Sequence, residues 1–302
     1  MSRVGMALVA GLVMGGTFPP APIVAQRPIK VLISVDMEGI TGVVTSEQLG
    51  PTGFEYNRFR EFMTAEALAA IQGAKEAGAT AFVVADSHGN QQNLLIDRFP
   101  ADVTIIRGSP RPLSMVEGID STVSAVMFIG YHSATTNPRG VRAHTMSSAT
   151  LAAVELNGVA VAESGINAAI VGSFGAPVVF VSGDESAVAE VRQLVGDVES
   201  AVVKRSIGFH SAATLTPEAG QALIRAGAKA AITRLRDFKP YVLRGPYTVD
   251  LTYKNYTAAE AMAFLPGIER RTAHTVRYRA TSMTDVSRFL VFSQAYRSDL
   301  TP

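Results

Sequence analysis

Short β-branched runs recur along this chain, and stretches with the apolar spacing of helices separate them. Ile29 to Val35 opens the series. Tyr56 to Ala77 follows, with Phe59, Phe62, Met63, Ala67, Ala70, Ile71 and Ala74 spaced as on one helix face. Ala81 to Ala85, Val103 to Ile106 and Val123 to Ile129 read as further strands. Leu151 to Ala162 carries Asn157-Gly158, a strong hairpin signal. A helix is expected from Glu163 to Ser173, a strand from Val178 to Val181 and a helix from Glu185 to Val195. Strands that alternate with helices and are apolar on both faces need both faces covered. That predicts an α/β fold with a largely parallel sheet flanked by helices.

After about residue 200 the texture changes. Pro217 to Thr233 has the spacing of an amphipathic helix. Tyr247 to Tyr253 and Thr275 to Arg279 alternate polar and apolar residues, and Ser282 to Tyr296 reads as a closing helix. The expectation is an α/β domain over residues 26–200 and a second, smaller α+β domain over 201–302. Residues 1–25 read as a cleavable secretory signal: Arg3, an apolar run from Val4 to Met14, breakers at Gly15, Gly16, Pro19 and Pro20, and small Ala25. The run is too short to span a bilayer comfortably. The mature protein is therefore expected to be secreted or periplasmic, with no stable membrane insertion.

Composition narrows the chemistry. The chain has no cysteine, which excludes disulfides, thiolate metal sites and cysteine nucleophiles. Any metal must be held by His, Asp and Glu, a set that suits zinc and related divalent ions. The net charge is +1, with no basic block of the kind that binds nucleic acid.

The strong ligands fall at strand ends. Asp36 and Glu38 follow the first strand, Asp86 and His88 the second, and His132 the Val123–Ile129 strand. In open α/β sheets ligands bind outside the carboxyl ends of the strands, so parallel strands would aim these groups into one crevice. Asp36 and Glu38 are two apart and point to the same side of extended chain. Asp86 reads as a turn cap, or as a group that orients a histidine; His88 reads as a ligand. A polar loop leads from His132 to His144, and spacing alone leaves His144 either folded over the crevice or simply a loop residue. Glu163 opens a predicted helix, where the helix dipole alone favours an acid. His210 and His274 read as surface residues.

Six stretches then carry a resemblance: Ser34-Val35-Asp36-Met37-Glu38-Gly39-Ile40, Asp86-Ser87-His88, Ser114-Met115-Val116-Glu117-Gly118, Gly130-Tyr131-His132, His144-Thr145-Met146 and Glu163-Ser164-Gly165-Ile166-Asn167-Ala168. In this order they resemble the DppA-type D-aminopeptidases, a family of binuclear zinc metallopeptidases. The resemblance runs from about residue 29 to near the C-terminus. It implies that Asp36, Glu38, His88, His132 and Glu163 are ligands of two zinc ions per subunit, with Asp36 bridging, and that His144 is the catalytic histidine. It implies a small peptide substrate with an N-terminal D-residue, such as a D-alanyl dipeptide, and a ring-like homo-oligomer. Two features depart from the family: the signal, and Val161-Ala162 where a Gly adjoins the Glu.

Two other classes share parts of this description. A periplasmic solute-binding protein also combines a signal with a two-domain α/β chain, but it needs no metal-type ligands at strand ends. A binuclear metal phosphoesterase uses similar ligands, yet the chain shows no further Asn/His set and no glycine-rich phosphate loop.

Overall fold

The computed structural model describes residues 28–296 together with Met1, Ser2 and Gly5. Apart from those three residues, the expected signal thus lies outside the described residues. In chain order the elements are β1 (Ile29–Val35), α1 (Tyr56–Glu76), β2 (Ala79–Asp86), β3 (Val103–Ile106), β4 (Ala125–Tyr131), β5 (Leu151–Leu156), β6 (Val159–Ala160), α2 (Glu163–Ser173), β7 (Val178–Asp184), α3 (Glu185–Val195), β8 (Glu199–Gly208), β9 (Ser211–Thr214), α4 (Pro217–Thr233), β10 (Tyr247–Tyr253), α5 (Tyr256–Met262), β11 (Ile268–Arg270), β12 (Thr275–Ala280) and α6 (Met283–Ala295).

Seven strands form one sheet in the order β3-β2-β1-β4-β7-β8-β9. All its pairs are parallel except β8–β9. Both faces are covered. Val31, Ile33 and Val35 of β1 face a core built with Phe59, Met63 and Ala67 of α1 and Ile224 and Ala228 of α4. Leu32, one residue out of phase, joins the opposite core with Phe128, Ile166, Ile170 and Val188. The period-two alternation of strand side chains produces this division.

A second, antiparallel sheet has the order β11-β12-β10-β5-β6. Its inner residues Leu151, Val154, Val249, Leu251 and Val276, with Val286 and Leu290 of α6, complete that second core. The expected hairpin is present: Asn157 and Gly158 both have positive φ, at 52° and 78°, as a type I′ turn requires.

The expected division at residue 200 falls inside β8. That strand pairs in parallel with β7 and extends the first sheet, and β9 and α4 go with it. Conversely β5 and β6 lie before residue 200 but belong to the second sheet. The two sheets are interleaved in sequence because each takes the strands that complete its own ladder.

β1 is the point at which the strand order reverses, with β2 on one side and β4 on the other. The carboxyl ends of β2, β1 and β4 lie next to one another there, and this is where a doubly wound sheet opens a crevice.

Candidate metal centre

Two contacts bring the strand ends together. Asp36 N donates to Ile129 O at 2.8 Å, and Gly39 N to Gly130 O at 2.7 Å. The approach tolerates no side chain: a Cβ on Gly39 would lie 2.1 Å from Tyr131 O, and one on Gly130 would lie 2.3 Å from Asp36 O. Gly39 is thus demanded by contact. Below, Ser34, Ser87, Tyr131 and Asn167 form a fully buried hydrogen-bonded group that links the three strands to α2.

Asp36, Glu38, His88, His132, His144 and Glu163 converge above this floor. His88 Nδ1 lies 2.8 Å from Glu38 Oε2 and 3.4 Å from Asp36 Oδ1. His132 Nε2 lies 3.3 Å from both Asp36 Oδ2 and Glu163 Oε2. His144 Nε2 lies 3.7 Å from Glu163 Oε1 and 3.9 Å from Glu38 Oε1. The rings of His132 and His144 stack, with centroids 4.1 Å apart. Asp36 sits between the histidines, one oxygen toward each. A cavity of about 140 Å³ opens onto Asp36, Glu38, His88, His144 and Glu163.

Each histidine is oriented by a backbone carbonyl, which can only accept. His88 Nε2 donates to Leu49 O at 2.7 Å, His132 Nδ1 to Ser133 O at 3.0 Å, and His144 Nδ1 to Arg142 O at 2.8 Å. In the neutral rings the remaining nitrogen therefore bears a lone pair, and it faces carboxylates. Two lone-pair-bearing atoms in such an arrangement repel unless a cation lies between them. Protons satisfy this in part. Burial is the largest single effect and opposes a charged ring, but the charges and hydrogen bonds of Glu38 and Asp36 together outweigh it and raise the His88 pKa well above its ordinary value. His132 is raised likewise, against burial, by Glu163 and Asp36 together. Burial, with Glu38 alongside, raises Asp36. Asp36 Oδ2 and His132 Nε2 nonetheless remain buried without a hydrogen-bond partner. Three carboxylates and imidazole nitrogens are a donor set that suits zinc and related divalent ions, so the residues fit a metal centre.

The supporting residues explain the placement. Asp86 does act as a cap: it accepts from Asn93 N and Leu94 N, while Asn93 Nδ2 also donates to His88 O at 2.7 Å. The His144 loop is tied to the end of β7 and to α3, since Asp184 accepts from Val141 N at 2.8 Å and Glu190 from Ala134 N at 3.0 Å. Arg142 and Met146 flank His144 with φ of 56° and 64°, a left-handed conformation uncommon for such residues. Glu163, the first residue of α2, is turned into the cluster and accepts from Met146 N at 2.7 Å. This decides between the two readings of both residues: His144 folds over the crevice, and Glu163 is more than a helix-end charge. His210 is exposed and His274 is half-buried against Tyr253 O, both outside the cluster.

Sequence reasoning missed Lys204. It is 2% exposed, in the middle of β8, and donates to the carbonyls of Glu38, Ile40 and Val43 at 2.5, 3.0 and 2.6 Å. Burial lowers its pKa to about 8. The signal was a lysine directly after the apolar Ala201-Val202-Val203. Asp184 carries the same signature as Asp36 and Asp86, an acid directly at a strand end.

A family model described as D-aminopeptidase matches residues 29–292. The D-aminopeptidase of Bacillus subtilis (strain 168) is 32% identical over 258 residues, covering 85% of this chain and 93% of that protein. A solved structure, the Zn-dependent D-aminopeptidase DppA from Bacillus subtilis, described as a self-compartmentalizing protease, superposes with a TM-score of 0.84 at 31% identity. It covers 90% of this chain and 100% of that one.

Proposed function

This chain belongs to the D-aminopeptidase family, and we propose that it is a zinc-dependent aminopeptidase acting on short peptides with an N-terminal D-residue, such as D-alanyl dipeptides. The observation that carries the reading is the cluster itself: three carbonyl-oriented histidines face three buried carboxylates at the point where the strand order reverses. Asp36, Glu38 and His88 would hold one ion, and His132 and Glu163 a second, with Asp36 shared between them. A bound zinc pair supplies Lewis acidity and lowers the pKa of water toward neutrality.

The chain's own groups do the rest. His144 is assigned to proton transfer: its Nδ1 is committed to Arg142 O, its Nε2 faces the cavity, and it is the least buried of the three histidines. Neutral Nε2 takes a proton and the imidazolium delivers one to the leaving amine. Glu38 and Glu163 flank this ring, with carboxylate oxygens 3.9 and 3.7 Å from Nε2.

The self-compartmentalizing behaviour described for the Bacillus subtilis protein supports a ring-like homo-oligomer here, which light scattering of the purified protein measures. The proposed export signal places the enzyme outside the cytoplasm, where D-residue peptides of cell-wall turnover would meet it; fractionation of expressing cells tests this.

The deciding experiment is turnover of D- and L-aminoacyl dipeptides with and without chelator, alongside metal analysis. Chelator-sensitive cleavage of D-aminoacyl dipeptides is expected, and a protein that binds no zinc ends the reading. In His144→Ala, turnover should fall by at least about 100-fold, within the range for loss of a general acid–base, with both metals retained. Loss of metal would instead make His144 a ligand.

A further inference from the structure

Beyond the metal centre the cavity continues into a second chamber of about 270 Å³, and Gln91, Ser114 and Met146 line both. The outer chamber is polar but neutral, with Gln91, Ser109, Ser114, Ser147 and Gln294, except for one charged residue, Arg111. Arg111 is 7% exposed, and no carboxylate lies within 4 Å of its guanidinium among the described residues. Two of its five N–H donors are used, one to Asp86 O at 2.9 Å and one to Ile106 O at 3.3 Å. Its Nε is buried without a partner. The two acids whose charge it feels, Asp86 and Glu117, are each committed to backbone amides, Asp86 to those of Asn93 and Leu94 and Glu117 to that of Leu113. A buried cation without a counter-ion is costly, and one facing a solvent-connected chamber is offset by an anionic ligand.

Resting on the aminopeptidase reading, we infer that Arg111, in the chamber that Gln91 also lines, receives the free C-terminal carboxylate of the substrate. The anchor through Asp86 O holds the guanidinium two residues from His88, at the end of the same strand. A peptide amide bond at the metal centre then places the carboxylate of the following residue toward the outer chamber. The two chambers together suit a dipeptide. The fork geometry of arginine matches a planar carboxylate with two parallel hydrogen bonds. The enzyme is therefore a dipeptidase by preference, selecting peptides whose second residue ends the chain.

The test uses the zinc-loaded protein with D-alanyl-D-alanine and the same dipeptide as its C-terminal amide. Wild type should favour the free acid by about tenfold or more in kcat/KM, as expected for a charge-assisted pair. Arg111→Met should lower the acid-to-amide ratio by about 10- to 100-fold, chiefly through KM for the acid, and Arg111→Lys should fall between. Equal use of acid and amide by wild type overturns this inference alone and needs no variant. A ratio unchanged in a zinc-retaining Arg111→Met does the same. Cleavage of neither substrate overturns the aminopeptidase reading and this inference with it.

Discussion

Two buried charges near the cluster have opposite effects. Lys204 ties three carbonyls of the Glu38–Val43 turn, so its ammonium shapes the backbone that carries Glu38. Lys204→Met keeps the length and removes every donor. It should cost at least about 2 kcal/mol, since the carbonyls lose a charged partner, and should weaken zinc binding as the turn loosens. Urea unfolding and zinc titration read the two effects, and unchanged zinc affinity would separate Lys204 from the site. Glu66 of α1 is the contrary case. It accepts from Thr41 N at 2.9 Å, but its other oxygen is buried without a partner, and burial raises its pKa to about 7. Between about pH 4.5 and 7 the unfolded chain releases this proton and the native chain keeps it. The unfolded state then binds fewer protons, so stability falls as pH rises through that window and stays lower above it. Glu66→Gln has no such loss. Its stability relative to wild type should improve from pH 5 to pH 8, measured by denaturant midpoints; a pH-independent difference would refute the assignment.

Among the elements, the close passage of the β1 and β4 ends matters most. Gly39 and Gly130 let Asp36 and His132 reach each other across it. Gly39→Ala would force the two backbones apart, at about 1–3 kcal/mol for overpacking. It should lower the melting temperature and the zinc content together; retention of both would mean that the backbones part without disturbing the cluster. Most elements were legible from the residues. β1, β3, α2, α3 and α4 have the expected limits, because each has a clear period and clear ends. β8 was not legible. Its buried Lys204 breaks the apolar signature, and only the neighbouring carbonyls explain the lysine. β11 and α5 are short, and their partners rather than their sequences define them.

For the molecule as a whole, the cluster is a concentration of buried carboxylates and imidazoles that a bound metal would relieve. Metal that binds only the native state adds about 4 kcal/mol when free ion exceeds its dissociation constant a thousandfold. Chelation should therefore lower the thermal midpoint by several degrees, and added zinc should restore it. A midpoint indifferent to chelator would leave protons as the only cations in the cluster.

The residues alone determined the class of fold, because alternating periods admit few arrangements, and they determined the chemistry on offer, because a chain without cysteine has only His, Asp and Glu for a metal. They also marked the ends of β1, β2 and β4 as the place to look. Tertiary structure decided what pairing at long range decides. It interleaved two sheets where a boundary at residue 200 was expected, since hydrogen-bonded ladders join strands regardless of their order. It also turned His144 and Glu163 into the crevice, where left-handed backbone and ties to Asp184, Glu190 and Glu163 hold a loop that spacing could not orient.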